Sequence, residues 1–347
     1  MAFKKSSILF YLAVSPFGYL LLTHLHHVLL PFNLVHKAEC RNPNQLLETY
    51  SAPGFHQLLD RIVCVLVRFC NQAINDPMCF PLTATLVGLA TTSYTVMSVE
   101  RVRLNNNRFL APIMICFGNV IGTGVIAPMA WLPIYGWSLS SHVSKQVKAG
   151  TQHKAIRTKI ASDSSKNYIE PSKIFGIAIA ALFGQFLPVA MLVSFGSSLT
   201  QRNILALFQY FPLTYGLLES IVPFFAKELN CKTKKGSTDS IRLLYVAIAS
   251  INTFLSFWVW IKWLQTTPAP DQFVKQWIDL FFSFGATKEN PVAYMLMWDI
   301  IALFSTFTYW AWLEDGLDGV KTIVKNSVLF GPGSGLAIYA MKREARI

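Results

Sequence analysis

Charge is what this chain has least of. Asp, Glu, Lys and Arg make up 14% of its 347 residues, against about 25% in a soluble domain. With 53% hydrophobic residues and a mean hydropathy of +0.40, that deficit excludes a water-soluble globule. Internal repeats and low-complexity tracts are absent, which excludes a repeat architecture. Cys40, Cys64, Cys70, Cys79, Cys116 and Cys231 form no CxxC pair and no zinc spacing. Most lie in or beside apolar runs, where cysteine acts as a small hydrophobe. No mitochondrial, peroxisomal or luminal-retention signal occurs. The apolar stretch that follows Lys4 and Lys5 runs from Ile8 to Leu30 without a small-x-small cleavage site, so it reads as an uncleaved first span.

What is present is a series of long apolar runs. Segments able to cross the ~30 Å hydrocarbon core are Ile8–Leu30, Pro77–Met97, Leu110–Leu139, Ile174–Phe195, Asn203–Ala226, Ile241–Leu264, Pro291–Leu313 and Ile323–Met341. The last contains Gly331-Pro332-Gly333 and Gly335 and is expected to be bent or broken. His56–Ile74 and Phe273–Phe284 mix apolar clusters with charge and read as interfacial amphipathic helices. The expected fold is therefore all-α: a polytopic transmembrane helix bundle of about eight spans (seven to nine) with interfacial helices, forming one domain over 1–347. Its net charge of +12 lies in short connections, which suits membrane lipid headgroups and not nucleic acid.

Eight spans would put both ends of the chain on one face. The 140–173 connection, with seven lysines and arginines, then dominates the opposite face. The positive-inside rule assigns that face to the cytoplasm and leaves the chain ends in the lumen. The expected location is the endoplasmic reticulum membrane.

Three acidic residues stand at or within spans: Glu100, Glu219 and Asp299. Asp299 is the most informative, because a carboxyl at that depth costs roughly 2.5–3.5 kcal/mol on insertion scales and normally faces a bundle interior with a task. A carboxyl withdrawn from water favours its neutral form, which makes Asp299 a candidate acid. Glu100 closes the second span on the side where the seventh begins, so the two carboxyls are expected to open into one pocket. Glu219 lies toward the other side. Plain structural roles are open to all three: ion pairing with Arg101 or Arg103 for Glu100, and a hydrogen bond from Asn119, Asn252 or a tryptophan for Asp299.

Aromatics make up 14% of the chain, including nine tryptophans. Most belong at the lipid interface, but Trp131, Tyr135, Tyr294, Trp298, Tyr309 and Trp310 are candidates for an interior substrate site, with Asn119 as a polar contact. Their ring faces hold a cation at ~0.5–2 kcal/mol each without attacking it, which suits a reaction through bare carbocations in a dry cavity. His24, His26 and His27 cannot share one helix face and read as interfacial, with no metal. Glu314-Asp315-Gly316-Leu317-Asp318 is half of an aspartate-rich diphosphate–Mg²⁺ pattern and reads as an interface turn.

Several segments carry a resemblance. They are Pro53-Gly54-Phe55 followed by Leu59-Asp60 and the run to Phe69; Glu100-Arg101-x-Arg103-x-Asn105; Pro112, Gly118 and Ala127-Pro128; Leu207-Phe208-Gln209-Tyr210-Phe211-Pro212; and the Asp299 helix. With them the chain resembles the fungal integral-membrane terpene cyclases of meroterpenoid and indole-diterpenoid biosynthesis, the larger group distinct from the pyripyropene-type cyclases. His56 and Gln57 between Phe55 and the leucines depart from that pattern and loosen the match at Asp60. The resemblance implies cyclisation of a prenyl chain, often bearing a terminal epoxide, on an aromatic or polyketide head group of a small hydrophobic molecule. It implies initiation by a carboxylic acid without metal or cofactor, with Glu100 and Asp299 as the catalytic positions and Asp60 as a third. A prenyltransferase and an epoxidase would then be its pathway neighbours.

Two other readings compete. Intramembrane carboxylates and broken helices also occur in secondary transporters, so an exporter of a lipophilic metabolite is the alternative. An aromatic-type prenyltransferase is less suited, because only one acidic cluster is present.

Overall fold

The computed structural model describes residues 7–41, 57–104, 110–148, 168–194, 198–230, 234–267, 270–282 and 290–346, and their regular structure is helical. Pro53-Gly54-Phe55, Asn105 and Cys231 lie outside the described residues. Five helices are long and apolar enough to cross a membrane, and a sixth crossing results if Leu199–Phe208 and Phe211–Phe225, bent by 54°, count as one. The chain is an integral membrane helix bundle. Leu207, Phe225 and Val328, at 73%, 84% and 81% exposure, are lipid-facing positions that no soluble protein would present in such number.

In chain order, α1 (Ser7–Leu12) and α2 (Ser15–Glu39) are followed by α3 (Gln57–Asn75) and α4 (Phe80–Arg103). Next come α5 (Leu110–Ile121), α6 (Thr123–Ile126), a π-helical turn (Ala127–Trp131) and α7 (Leu132–Lys148). Helices α8 (Pro171–Ala181) and α9 (Leu187–Ser194) flank a second π-helical turn, Leu182–Phe186. The bent pair is α10 (Ser198–Phe208) and α11 (Phe211–Phe225). The remainder is α12 (Lys234–Thr266), α13 (Pro270–Phe282), α14 (Pro291–Asp315), α15 (Leu317–Phe330) and α16 (Pro332–Glu344).

Two runs expected to cross the membrane fold back instead. In the Leu110–Leu139 run, Gly122 takes φ +116° between α5 and α6, a conformation that favours glycine. Leu110 and Tyr135 return to one cavity beside Glu100, while Gly122 and Gly124 lie against Asp299. The arms thus form a hairpin whose apex is buried mid-bundle. In the second case Gly331, at φ +89°, joins α15 to α16, which pack on each other. Its apex meets Ser256, and Arg343 at the far end reaches Glu100. Helix α5, with 12 residues, and α16, with 13, extend ~18–20 Å at 1.5 Å per residue, too short for a crossing of ~30 Å.

Small residues let the second hairpin approach α4 and α12. A Cβ on Gly333 would lie 2.7 Å from the Gly88 backbone. Thr92 Oγ1 donates to the Gly333 carbonyl at 3.1 Å, Asn252 Nδ2 donates to Thr92 Oγ1 at 2.8 Å, and Thr253 and Ser334 share a hydroxyl contact at 2.9 Å. Close backbones joined by short polar side chains are how helices associate in lipid, where apolar surface alone gives no preference.

The hairpins change which segments share a face with the chain ends. Tyr11, Glu100, Tyr135, Glu219, Glu314 and Arg343 are linked at one end of the bundle, where residues 7 and 346 also lie. The chain leaves that end at 148 and re-enters it at 168, and the intervening sequence carries Lys154, Arg157, Lys159 and Lys166. Residues 148 and 168, which bound that basic sequence, thus lie at the same end as residues 7 and 346, and the positive-inside rule favours the cytoplasm for that end. At the opposite end Cys40 and Cys64 form a disulfide joining α2 to α3, so these two are not the unpaired hydrophobes expected. Disulfides persist in oxidising compartments, in keeping with a luminal face there. Cys70, Cys79 and Cys116 are free.

The two expected interfacial helices are present. Helix α3 does more than lie on a surface, since it packs on α2, α4, α10 and α14 and walls the interior. On α13, Trp277 stacks on Trp263 at 5.1 Å and donates to the Met78 carbonyl at 3.1 Å, part of an interface belt.

Candidate active site

Asp299 is held by the first hairpin. Its side chain is 3% exposed. Oδ1 accepts the Gly124 N–H at 2.5 Å. This amide lies in the first turn of the helix formed by α6, the π turn and α7, so its donor has no partner in its own helix and the helix dipole favours an oxygen acceptor there. Thr123 Oγ1 bonds the Tyr94 hydroxyl on α4 at 2.6 Å, fastening the apex to a second wall. Asn119 and Asn252 bond Gln209 and Thr92 instead.

The same carboxyl lines a chamber whose empty space, its open mouth included, is about 1120 Å³. Its walls are α3, α4, the first hairpin's apex, the second π turn with α9, the α10–α11 bend and α14. The lining is apolar except for Cys70, Thr83, Tyr94, Asn119, Thr123, Gln185 and Asp299. Phe69, Phe80, Tyr94, Phe208 and Phe211 supply aromatic faces, with Phe208 stacked on Phe211 at 5.0 Å. Pro212 and the 54° bend at Gln209-Tyr210 turn Phe208 and Phe211 toward one space.

Of the residues chosen from sequence, this chamber brings together Asp299 and Asn119. Glu100 is in a separate, smaller cavity of about 290 Å³ with Trp131 and Tyr135, so the two carboxyls do not share a pocket. Glu100 accepts from Arg103 and, at 2.7 Å, from Arg343. Arg343 also reaches Glu314 at 3.1 Å and lies 5.1 Å over the Trp310 ring. Trp131 stacks on Phe307 at 4.6 Å, and Tyr135 donates to Glu314 at 3.0 Å. These groups form one ion-and-ring network that ties α4, α7, α14 and α16 together. The reason the sequence expectation fails is that the second hairpin delivers Arg343 to Glu100 from 243 residues away.

The other candidates also face elsewhere. Tyr294 bonds His24 at 2.6 Å, Trp298 stacks on Phe281 at 5.4 Å, and Tyr309 donates to the Phe10 carbonyl at 2.9 Å. Glu219 accepts Arg101 at 2.5 Å. Asp60 is buried on α3 and does not line the chamber. Asp315 accepts from Tyr339 and Arg346 beside the Gly316 turn.

Sequence reasoning passed over Tyr94, Gln185 and the amide of Gly124. One signal was available. The Gly118-Asn119-Val120-Ile121-Gly122-Thr123-Gly124 stretch puts three glycines inside a run too long for a single crossing, the mark of a break.

The family described as the CtvD domain matches residues 41–345, nearly the whole chain. No curated protein and no solved structure matches it.

Proposed function

The chain belongs to the CtvD-domain family, and from that premise we propose that it is a membrane-bound terpene cyclase, an isomerase- or lyase-type enzyme. It protonates the prenyl chain, often epoxidised, of a meroterpenoid precursor and guides metal-independent carbocation cyclisation. The observation that carries this reading is one carboxyl, Asp299, on the wall of an apolar aromatic chamber with one oxygen already engaged by a backbone amide.

In this mechanism the free oxygen of Asp299 carries the proton. Transfer to an epoxide oxygen breaks one C–O bond, leaves a hydroxyl on one carbon and places positive charge on the more substituted neighbour. Alkenes attack in sequence, and the last cation loses a proton, so substrate and product are isomers. The Gly124 amide stabilises the carboxylate left behind, as a preorganised donor does. Tyr94, Phe208 and Phe211 hold the travelling cation at ~0.5–2 kcal/mol per ring, and chamber shape folds the chain beforehand. Glu100 has a structural role in this reading. The substrate enters from lipid, and the endoplasmic reticulum is the expected membrane.

The test incubates membranes from yeast expressing the chain with prenylated epoxides and follows products by mass spectrometry and NMR. A product of unchanged mass and new ring connectivity is expected. Its absence with every substrate tried rejects the enzyme.

A second reading, an exporter of a lipophilic metabolite, is favoured by the half-span hairpins, since broken helices meeting at mid-membrane are a carrier feature. Detergent-solubilised protein separates the two, because a carrier isomerises nothing.

A further inference from the structure

Gln185 is the one chamber-lining residue whose buried side-chain polar atom lacks a partner among the described residues. It is 3% exposed, and its Oε1 forms no hydrogen bond. It sits in the π-helical turn Leu182–Phe186. Such one-residue insertions recur at functional sites because they re-aim a side chain at some loss of helix regularity. Gly184 beside it packs on the Tyr215 ring, which positions this turn against α11. Buried carbonyl oxygens are nearly always paired, so an unpaired one on a chamber-lining side chain asks for a donor supplied by a ligand.

Resting on the cyclase reading, we propose that Gln185 recognises the head group of the substrate, and that this head group carries a hydroxyl or N–H. The chemistry leaves little choice of source. A prenyl tail has no hydrogen-bond donor, and its epoxide only accepts, so a donor must come from the other end of the molecule. The chamber then reads its substrate at two points of opposite sense: Asp299 donates to the tail, and Gln185 accepts from the head. The two residues are on different walls, α14 and the α8–α9 span, with α4 packed on both. A molecule held at both points has one direction of entry and one end presented to the acid.

The test is binding, so it does not depend on turnover. Detergent-solubilised full-length protein is titrated with a farnesyl phenol and with its O-methyl ether, following thermal stabilisation. Wild type is expected to bind the phenol about tenfold or more tightly than the ether. Gln185→Met, similar in shape but without an acceptor, is expected to bind both equally, and Gln185→Glu to retain the preference. A wild type that shows no preference, or a Gln185→Met variant that keeps it, overturns the proposal. Discrimination without conversion of any epoxide supports this inference while rejecting cyclisation. Conversion without discrimination does the reverse.

Discussion

Asp299 Oδ1 accepts the backbone N–H of Gly124 at 2.5 Å across 175 residues of sequence. One contact thus defines both the depth of the first hairpin and the setting of the carboxyl, which couples the candidate chemistry to the fold.

Asp299→Asn keeps the shape and removes the transferable proton. Cyclisation is expected to fall by a factor on the order of 10²–10⁴, the usual contribution of a positioned acid, while the protein still accumulates in membranes. Product yield per milligram of inserted protein is the measurement. Wild-type yield from this variant would remove Asp299 from the mechanism.

Gly124→Ala tests the hairpin. The added Cβ would stand 2.4 Å from the Asp299 carbonyl oxygen and 2.8 Å from Oδ1, and backbone cannot step aside as a flexible side chain does. Overpacking of this kind costs about 1–3 kcal/mol. A lowered melting temperature in detergent is expected together with lost turnover, and an unchanged melting curve would contradict the apex geometry.

Glu100→Gln separates structure from chemistry at the other carboxyl. It withdraws a charge shared by Arg103 and Arg343, both largely buried. Breaking a buried ion pair by removing one partner costs about 3–5 kcal/mol. Poor accumulation is expected, with normal turnover in the fraction that folds. Full accumulation with no turnover would return Glu100 to the catalytic set.

Orientation is checked with N-glycosylation acceptors on flexible linkers. One placed after Thr267, at the disulfide end, is expected to be modified in microsomes, and one placed after Lys148 is not. The opposite pattern would overturn this orientation.

The Cys40–Cys64 bridge closes a 24-residue separation and ties down α3, a chamber wall. Cys64→Ser is expected to cost about 3 kcal/mol, from the entropy of a loop of that size. Because that wall then loosens, turnover should fall with stability, measured by detergent melting and by product yield. An unchanged melting point would show that α3 stands without its bridge.

Sequence by itself determined that this is a helical membrane protein, where most of its apolar helices run, and that Asp299 is a carboxyl buried within one of them. Each follows from transfer energetics that a residue carries with it: apolar runs partition into lipid, and a lone carboxyl there must be housed. The glycines from 331 to 335 marked an expected break and those from 118 to 124 one that was passed over, but neither set says whether the chain continues across or turns back. That choice belongs to the tertiary structure, because an apex is stable at mid-membrane only where another helix supplies partners for its open backbone, as Asp299 does for Gly124. Tertiary structure likewise decided that Glu100 is neutralised by Arg343, that Cys40 meets Cys64, and that Phe208 and Phe211 rather than Trp131 and Trp310 face the chamber. Hydropathy cannot separate such cases, since lipid and protein interior are nearly equal in polarity and only packing distinguishes a ring facing one from a ring facing the other.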